Sequence, residues 1–113
     1  ILITLIAFFS LETKTDEIKD IELSAELLAF AEYGSKSSWS ESDVLRVERM
    51  VSEFSDPELK EIWISNVITY ALMGNLPKYP SNAMCKIAKR NISKLRDKDL
   101  KSIWDLNYGL YGC

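Results

Sequence analysis

The octet Asp56-Pro57-Glu58-Leu59-Lys60-Glu61-Ile62-Trp63 returns 41 residues later as Asp97-Lys98-Asp99-Leu100-Lys101-Ser102-Ile103-Trp104. Asp, Leu, Lys, Ile and Trp are identical in the two copies, and Glu58 is matched by Asp99. Forty-one residues before the first copy, Thr15-Asp16-Glu17-Ile18-Lys19-Asp20-Ile21-Glu22 keeps the Glu, the Lys and the second Ile, with Ile18 in place of Leu. A period near 40 residues suits a two-helix unit, which cannot bury its apolar face alone and must stack on a neighbour. The chain is therefore expected to be all-α.

Helix signals agree with that period. Before Leu59, two starts compete. Ser55 can cap with Glu58 at the third helical position, or Asp56 can cap with Pro57 at the first, where its missing N–H costs nothing. The helix runs to Met73 and is expected to stop at Gly74 in the left-handed conformation. It is apolar nearly all round, with only Glu58, Ser65, Asn66 and Thr69 in a narrow polar stripe. This marks it as the central helix, with Ile62, Ile64, Val67 and Ile68 buried. The polar residues are read as an internal hydrogen-bond network, or alternatively as a small polar pocket.

Ser40 and Asp43 form a capping box with Trp39 and Val44 as its staple, opening a helix that buries Val44, Val47, Val51 and Phe54. Its charged side, Glu41, Arg46, Glu48, Arg49 and Glu53, reads as solvated. Ser81, 41 residues after Ser40, opens a helix burying Met84, Cys85, Ala88, Ile92 and Leu95. A last helix from Asp97 to about Tyr108 buries Leu100, Ile103 and Trp104. Asp16–Tyr33 carries two apolar faces, Ile18, Ile21 and Leu28 on one and Leu23, Leu27 and Phe30 on the other, as in a helix sandwiched between neighbours. Ile1–Leu11 completes the set as a helix whose Ile3 and Ile6 match the inward positions of later units. The sum is one domain of about six helices in three stacked antiparallel hairpins, 1–33, 40–73 and 81–108, a short solenoid or an orthogonal bundle.

This arrangement resembles the helical-repeat solenoids of the HEAT and armadillo type in period and helix order. The resemblance implies a binding scaffold. The paired Trp63 and Trp104 are read as packing between units.

At 113 residues, 47% hydrophobic and 27% charged, the chain has enough material for a core. Its net charge of −3 is unevenly spread. Residues 1–77 carry 14 acidic and 6 basic side chains, and residues 78–113 carry 3 and 8. Such a split suits a partner that meets one end, or a dipolar fold whose halves satisfy each other. Residues 1–9 look like the apolar core of a signal peptide. However, they lack a basic flank and a small-residue cleavage site, and they are too short to span a bilayer. Because the sequence opens without Met, a preceding segment is expected. Two cysteines, Cys85 and Cys113, make no disulfide framework or metal spacing, so a bridge is not favoured and the cytoplasm is the expected compartment.

With no histidine and four isolated glycines, the chain has no imidazole base, no histidine-containing catalytic triad and no phosphate-cradling loop. Neither an enzyme nor a cofactor is expected. Two binding readings follow. In the first, a small acidic protein occludes a basic protein, most concretely as an immunity protein that neutralises a nuclease-type bacterial toxin. Asp16, Asp20, Glu22, Glu26, Glu58 and Glu61 are then the contacts. In the second, Lys86, Lys89, Arg90 and Lys94 bind nucleic acid or another phosphate-rich ligand, although no aromatic side chain interleaves them.

Overall fold

The computed structural model describes residues 2–33 and 38–113 and, within the first helix, the side chains of residues 15–31. Among the described residues, five helices follow in order: α1 (Leu2–Tyr33), α2 (Glu41–Val51), α3 (Pro57–Met73), α4 (Asn82–Ile92) and α5 (Lys98–Leu110). No strand occurs among the described residues, and the class is all-α. Where a hairpin was expected over residues 1–33, a single helix runs through the expected turn. Thr13-Lys14-Thr15 contains neither glycine nor proline, and an unbroken helix gains one hydrogen bond for each residue added. The inward positions expected for Ile3 and Ile6 lie outside the described side chains.

The caps recur at the sequence period. Ser40 accepts the Asp43 amide at 3.1 Å while Asp43 accepts the Ser40 amide at 3.0 Å, closing the capping box. Ser81 accepts the Met84 amide at 3.2 Å. At the other ends of α2 and α4, Ser52 and Ser93 each donate to a carbonyl three residues back, at 2.6 Å. Asp56 caps α3 with Pro57 as its first residue, so the second of the two possible starts is the one formed. Asp97 caps α5, and each Asp accepts the amide two residues on at 2.9 Å.

The core lies among α2, α3 and α4, with Val44, Val47, Val67, Ile68, Leu72 and Ile87 nearly inaccessible and Leu23 and Leu27 reaching in from α1. Trp39 seals one end of it. Its ring stacks on Tyr70 at 4.0 Å and meets the edge of Phe30 at 5.8 Å. The Asn75 amide brackets the Trp39 backbone, accepting its N–H and donating to its carbonyl, both at 2.8 Å. Gly74 ends α3 in the right-handed conformation, φ −64°, where a left-handed cap was expected. Space is what requires glycine here: an added Cβ would stand 2.7 Å from Trp39 Cδ1 and collide with the Tyr70 carbonyl.

Several expected burials are corrected. Ile62 is 60% exposed, because at about 100° per residue it falls inside the polar stripe of its own helix. Only the Leu23 and Leu27 side of α1 is buried, while Ile18, Ile21 and Leu28 face outward, so this helix has a packed side and an open one. Leu100, Trp104 and Cys85 are half-buried and Ile103 is exposed. Helix α5 continues through Gly109 to Leu110, and Gly112 at φ +85° supplies the left-handed turn instead. That turn brings Cys113 to a disulfide with Cys85, contrary to expectation, and Tyr111 Oη donates to Met73 Sδ at 3.0 Å. The Cα radius of gyration is 16.8 Å, against about 13 Å for a compact domain of this length. The molecule is elongated.

Candidate binding face

Two carboxylates join alternate helices. Asp20, buried on α1, accepts the backbone amides of Ser55 and Asp56 at 2.8 and 2.9 Å, just where α3 begins. Glu61 on α3 accepts the amides of Arg96 and Asp97 at 2.6 and 3.0 Å, just where α5 begins. Donor and acceptor positions are both offset by 41 residues. The hydrogen bonds from Asp97 and Arg96 hold the Glu61 carboxyl below the ordinary glutamate range. Arg96 adds an ion pair at 3.6 Å.

Beside each junction lies an open groove. The first, about 520 Å³, is lined by Glu17, Asp20, Ile21, Ser24, Ala25, Leu28, Asp56 and Leu59. The second, about 390 Å³, is lined by Glu58, Glu61, Ile62, Ser65, Asn66, Asp97 and Leu100. Every residue of the second groove stands 41 positions after one of the first. Ser65 and Asn66 therefore line a surface groove in place of an internal network, and the buried Ser65 Oγ has no hydrogen-bond partner.

The same register continues onto α5. Glu17, Glu58 and Asp99 are exposed at equivalent positions, and one helical turn further Ile21, Ile62 and Ile103 are 68%, 60% and 56% exposed. Positions four apart share a helix face. Each of α1, α3 and α5 thus presents an acidic side chain followed by an isoleucine.

The sequence-predicted acidic residues are divided by this geometry. Glu58 lies on the face. Glu61 borders the second groove but is engaged with α5. Asp20 lines the first groove with both oxygens committed to α3, and so serves as a joint between helices. Asp16, Glu22 and Glu26 are exposed. By helical angle, Glu22 and Glu26 stand about 100° and about 140° from Ile21 around α1, on another side. Glu17, Asp99 and the three isoleucines were missed, although applying the period to outward positions as well as buried ones would have found them.

On the basic helix, Arg90 makes a two-point ion pair with Glu48 of α2, at 2.8 and 2.5 Å. Asn91 donates to the same carboxylate at 2.6 Å, and Lys94 stands 3.9 Å away. Burial pushes the Glu48 carboxyl up, but the Arg90 and Asn91 hydrogen bonds and the Arg90 and Lys94 charges outweigh it and hold it below the ordinary value. Glu48, expected on a solvated side, thus engages two of the four basic candidates, while Lys86 and Lys89 are exposed. Among the described residues no helix is long and apolar enough to cross a membrane. Comparison with protein-family models, with curated proteins and with solved structures finds no match to this chain.

Proposed function

We propose that this chain is a short helical-repeat scaffold of the HEAT and armadillo kind, acting as a non-catalytic binding module for a cationic protein. The observation that carries this reading is the outward face of α1, α3 and α5. There, Glu17, Glu58 and Asp99 accompany exposed isoleucines beside two open grooves. Acidic groups at such a face draw a basic partner by long-range attraction, and the apolar floor supplies contact area once it arrives. The nucleic-acid alternative is disfavoured by the Glu48 carboxylate, which neutralises part of the basic helix.

The most concrete version, an immunity protein against a nuclease-type toxin, places the binder in the reducing cytoplasm. The Cys85–Cys113 disulfide weighs against that compartment, since such bonds persist in oxidising ones. The broader reading does not depend on compartment.

The test begins with affinity capture from the native organism and then measures association of the captured partner with charge-reversed variants. Reversing Glu17, Glu58 and Asp99 to Lys should slow association and weaken its salt dependence, as for steering charges. Reversal of Glu22 and Glu26, on another side of α1, should have the smaller effect. If instead Lys89→Glu with Arg90→Glu abolishes binding while the acidic reversal leaves it intact, the basic helix is the site.

A further inference from the structure

We infer that the first groove, where α1 meets the start of α3, seats an amphipathic helix of the partner protein. That helix sets a large apolar side chain into one hole on α1 and a lysine or arginine into an acidic hole one turn away. This rests on the cationic-partner reading above and names the segment that binds. When one helix packs along another, each inserted side chain fits among four residues of the facing helix, at i, i+3, i+4 and i+7. The six α1 residues that line the first groove make two such sets and leave none over. Ile21, Ser24, Ala25 and Leu28 form one, large at its ends and small in the middle, with Ile21, Ala25 and Leu28 exposed. Glu17, Asp20, Ile21 and Ser24 form the other, one helical turn earlier.

Shape and charge then define what enters. Small side chains at Ser24 and Ala25, between Ile21 and Leu28, leave room for a leucine-sized group, and its burial takes apolar surface of both partners out of water. Beside the earlier hole stand three carboxylates, Glu17, Asp20 and Asp56. Asp20 accepts the amides at the start of α3, while Glu17 and Asp56 are exposed. A long basic side chain reaches such carboxylates with its aliphatic stem laid on Ile21. Two side chains four residues apart lie on one helix face, so a basic and an apolar one enter the two holes together.

The second groove is a built-in control. Glu58, Glu61, Ile62 and Ser65 repeat the acidic hole 41 residues on, but Asn66 and Thr69 stand in place of Ala25 and Leu28. There the second hole is polar, and Thr69 donates to the Ser65 carbonyl at 2.9 Å. Of the two grooves, the first alone offers an apolar hole.

The probe is an acetylated and amidated alanine- and glutamine-based peptide of about 18 residues, long enough to form a helix in water. It carries lysine, leucine and lysine at intervals of four. Its isomer has the leucine moved two positions, which turns it to the opposite side of the helix. Methyl resonances of the full chain report the titration. The expected result is that Ile21, Ala25 and Leu28 shift together with one dissociation constant, while Ile62 in the second groove and the core Ile68 and Ile87 stay still. The isomer should bind at least about tenfold more weakly, equal to about 1.4 kcal/mol. Ala25→Leu fills the hole from an exposed position, and should weaken the first peptide to a similar degree with an unchanged circular dichroism spectrum.

Equal affinity for the two lysine peptides, no binding by either, or an affinity unchanged by Ala25→Leu overturns the helix and its holes. The cationic-partner reading then stands or falls on the Glu17, Glu58 and Asp99 reversal alone. Equal or tighter binding of a peptide with glutamate in place of lysine, with shifts around Lys86 and Lys89, overturns both and transfers the site to the basic helix.

Discussion

Asp20 shows how one side chain can be placed by the sequence and misread in role. It was expected to meet a partner because it is acidic and sits in a helix with many charges. Yet both of its oxygens accept amides at the start of α3, groups that no helix can satisfy internally. Asp20→Ala leaves those amides without their carboxylate and should cost about 2–4 kcal/mol, as two charge-assisted bonds. Asp20→Asn, which keeps one acceptor oxygen, should cost about half as much, with urea denaturation as the measurement. Glu48 provides a pH signature. Its folded carboxyl titrates below the ordinary value of 4.5. The unfolded chain therefore binds the proton first, and the stability Glu48 contributes above pH 4.5 is lost as pH falls through the folded value. Acid unfolding of Glu48→Gln should accordingly be less steep below pH 4.5 than that of the unchanged protein.

Among the elements, the buried and solvated sides of α2 and the buried side of α4 were legible, and the open sides of α1, α3 and α5 were not. Periodicity finds the core of α2 and α4 because Val44, Val47 and Val51, or Met84, Ala88 and Ile92, recur on one side. Helix α3 defeats the same reading because isoleucine occupies both its buried and its open sides. Trp63 and Ile62, adjacent in sequence, separate the two. Trp63→Ala removes a buried ring and should destabilise by about 3–5 kcal/mol. Ile62→Ala, on the open side, should change stability by less than about 0.5 kcal/mol. Chemical denaturation of the pair checks the orientation of α3 directly. The cap residues were readable because their chemistry is local, whereas the Glu48–Arg90 pair joins residues far apart in sequence and carries no periodic signature. The merged first helix escaped for a different reason: a repeat in sequence marks equivalent positions but does not specify that each unit turns.

At the scale of the molecule, the ends are held by different means. The last helix buries no residue fully, and the disulfide ties its tail to α4 across a separation of 28 residues. By the chain-entropy relation, losing that link in Cys85→Ser with Cys113→Ser should cost about 3–4 kcal/mol, seen as a lower urea midpoint. The two carboxylate joints have a mechanical consequence. Asp20 is short and buried, whereas Glu61 has one more rotatable bond and is partly open to water. A longer tether loses more conformational freedom when fixed. On side-chain length alone, the aspartate joint between α1 and α3 is expected to be the stiffer of the two. Hydrogen exchange should resolve this difference, with the Ser55 and Asp56 amides exchanging more slowly than those of Arg96 and Asp97.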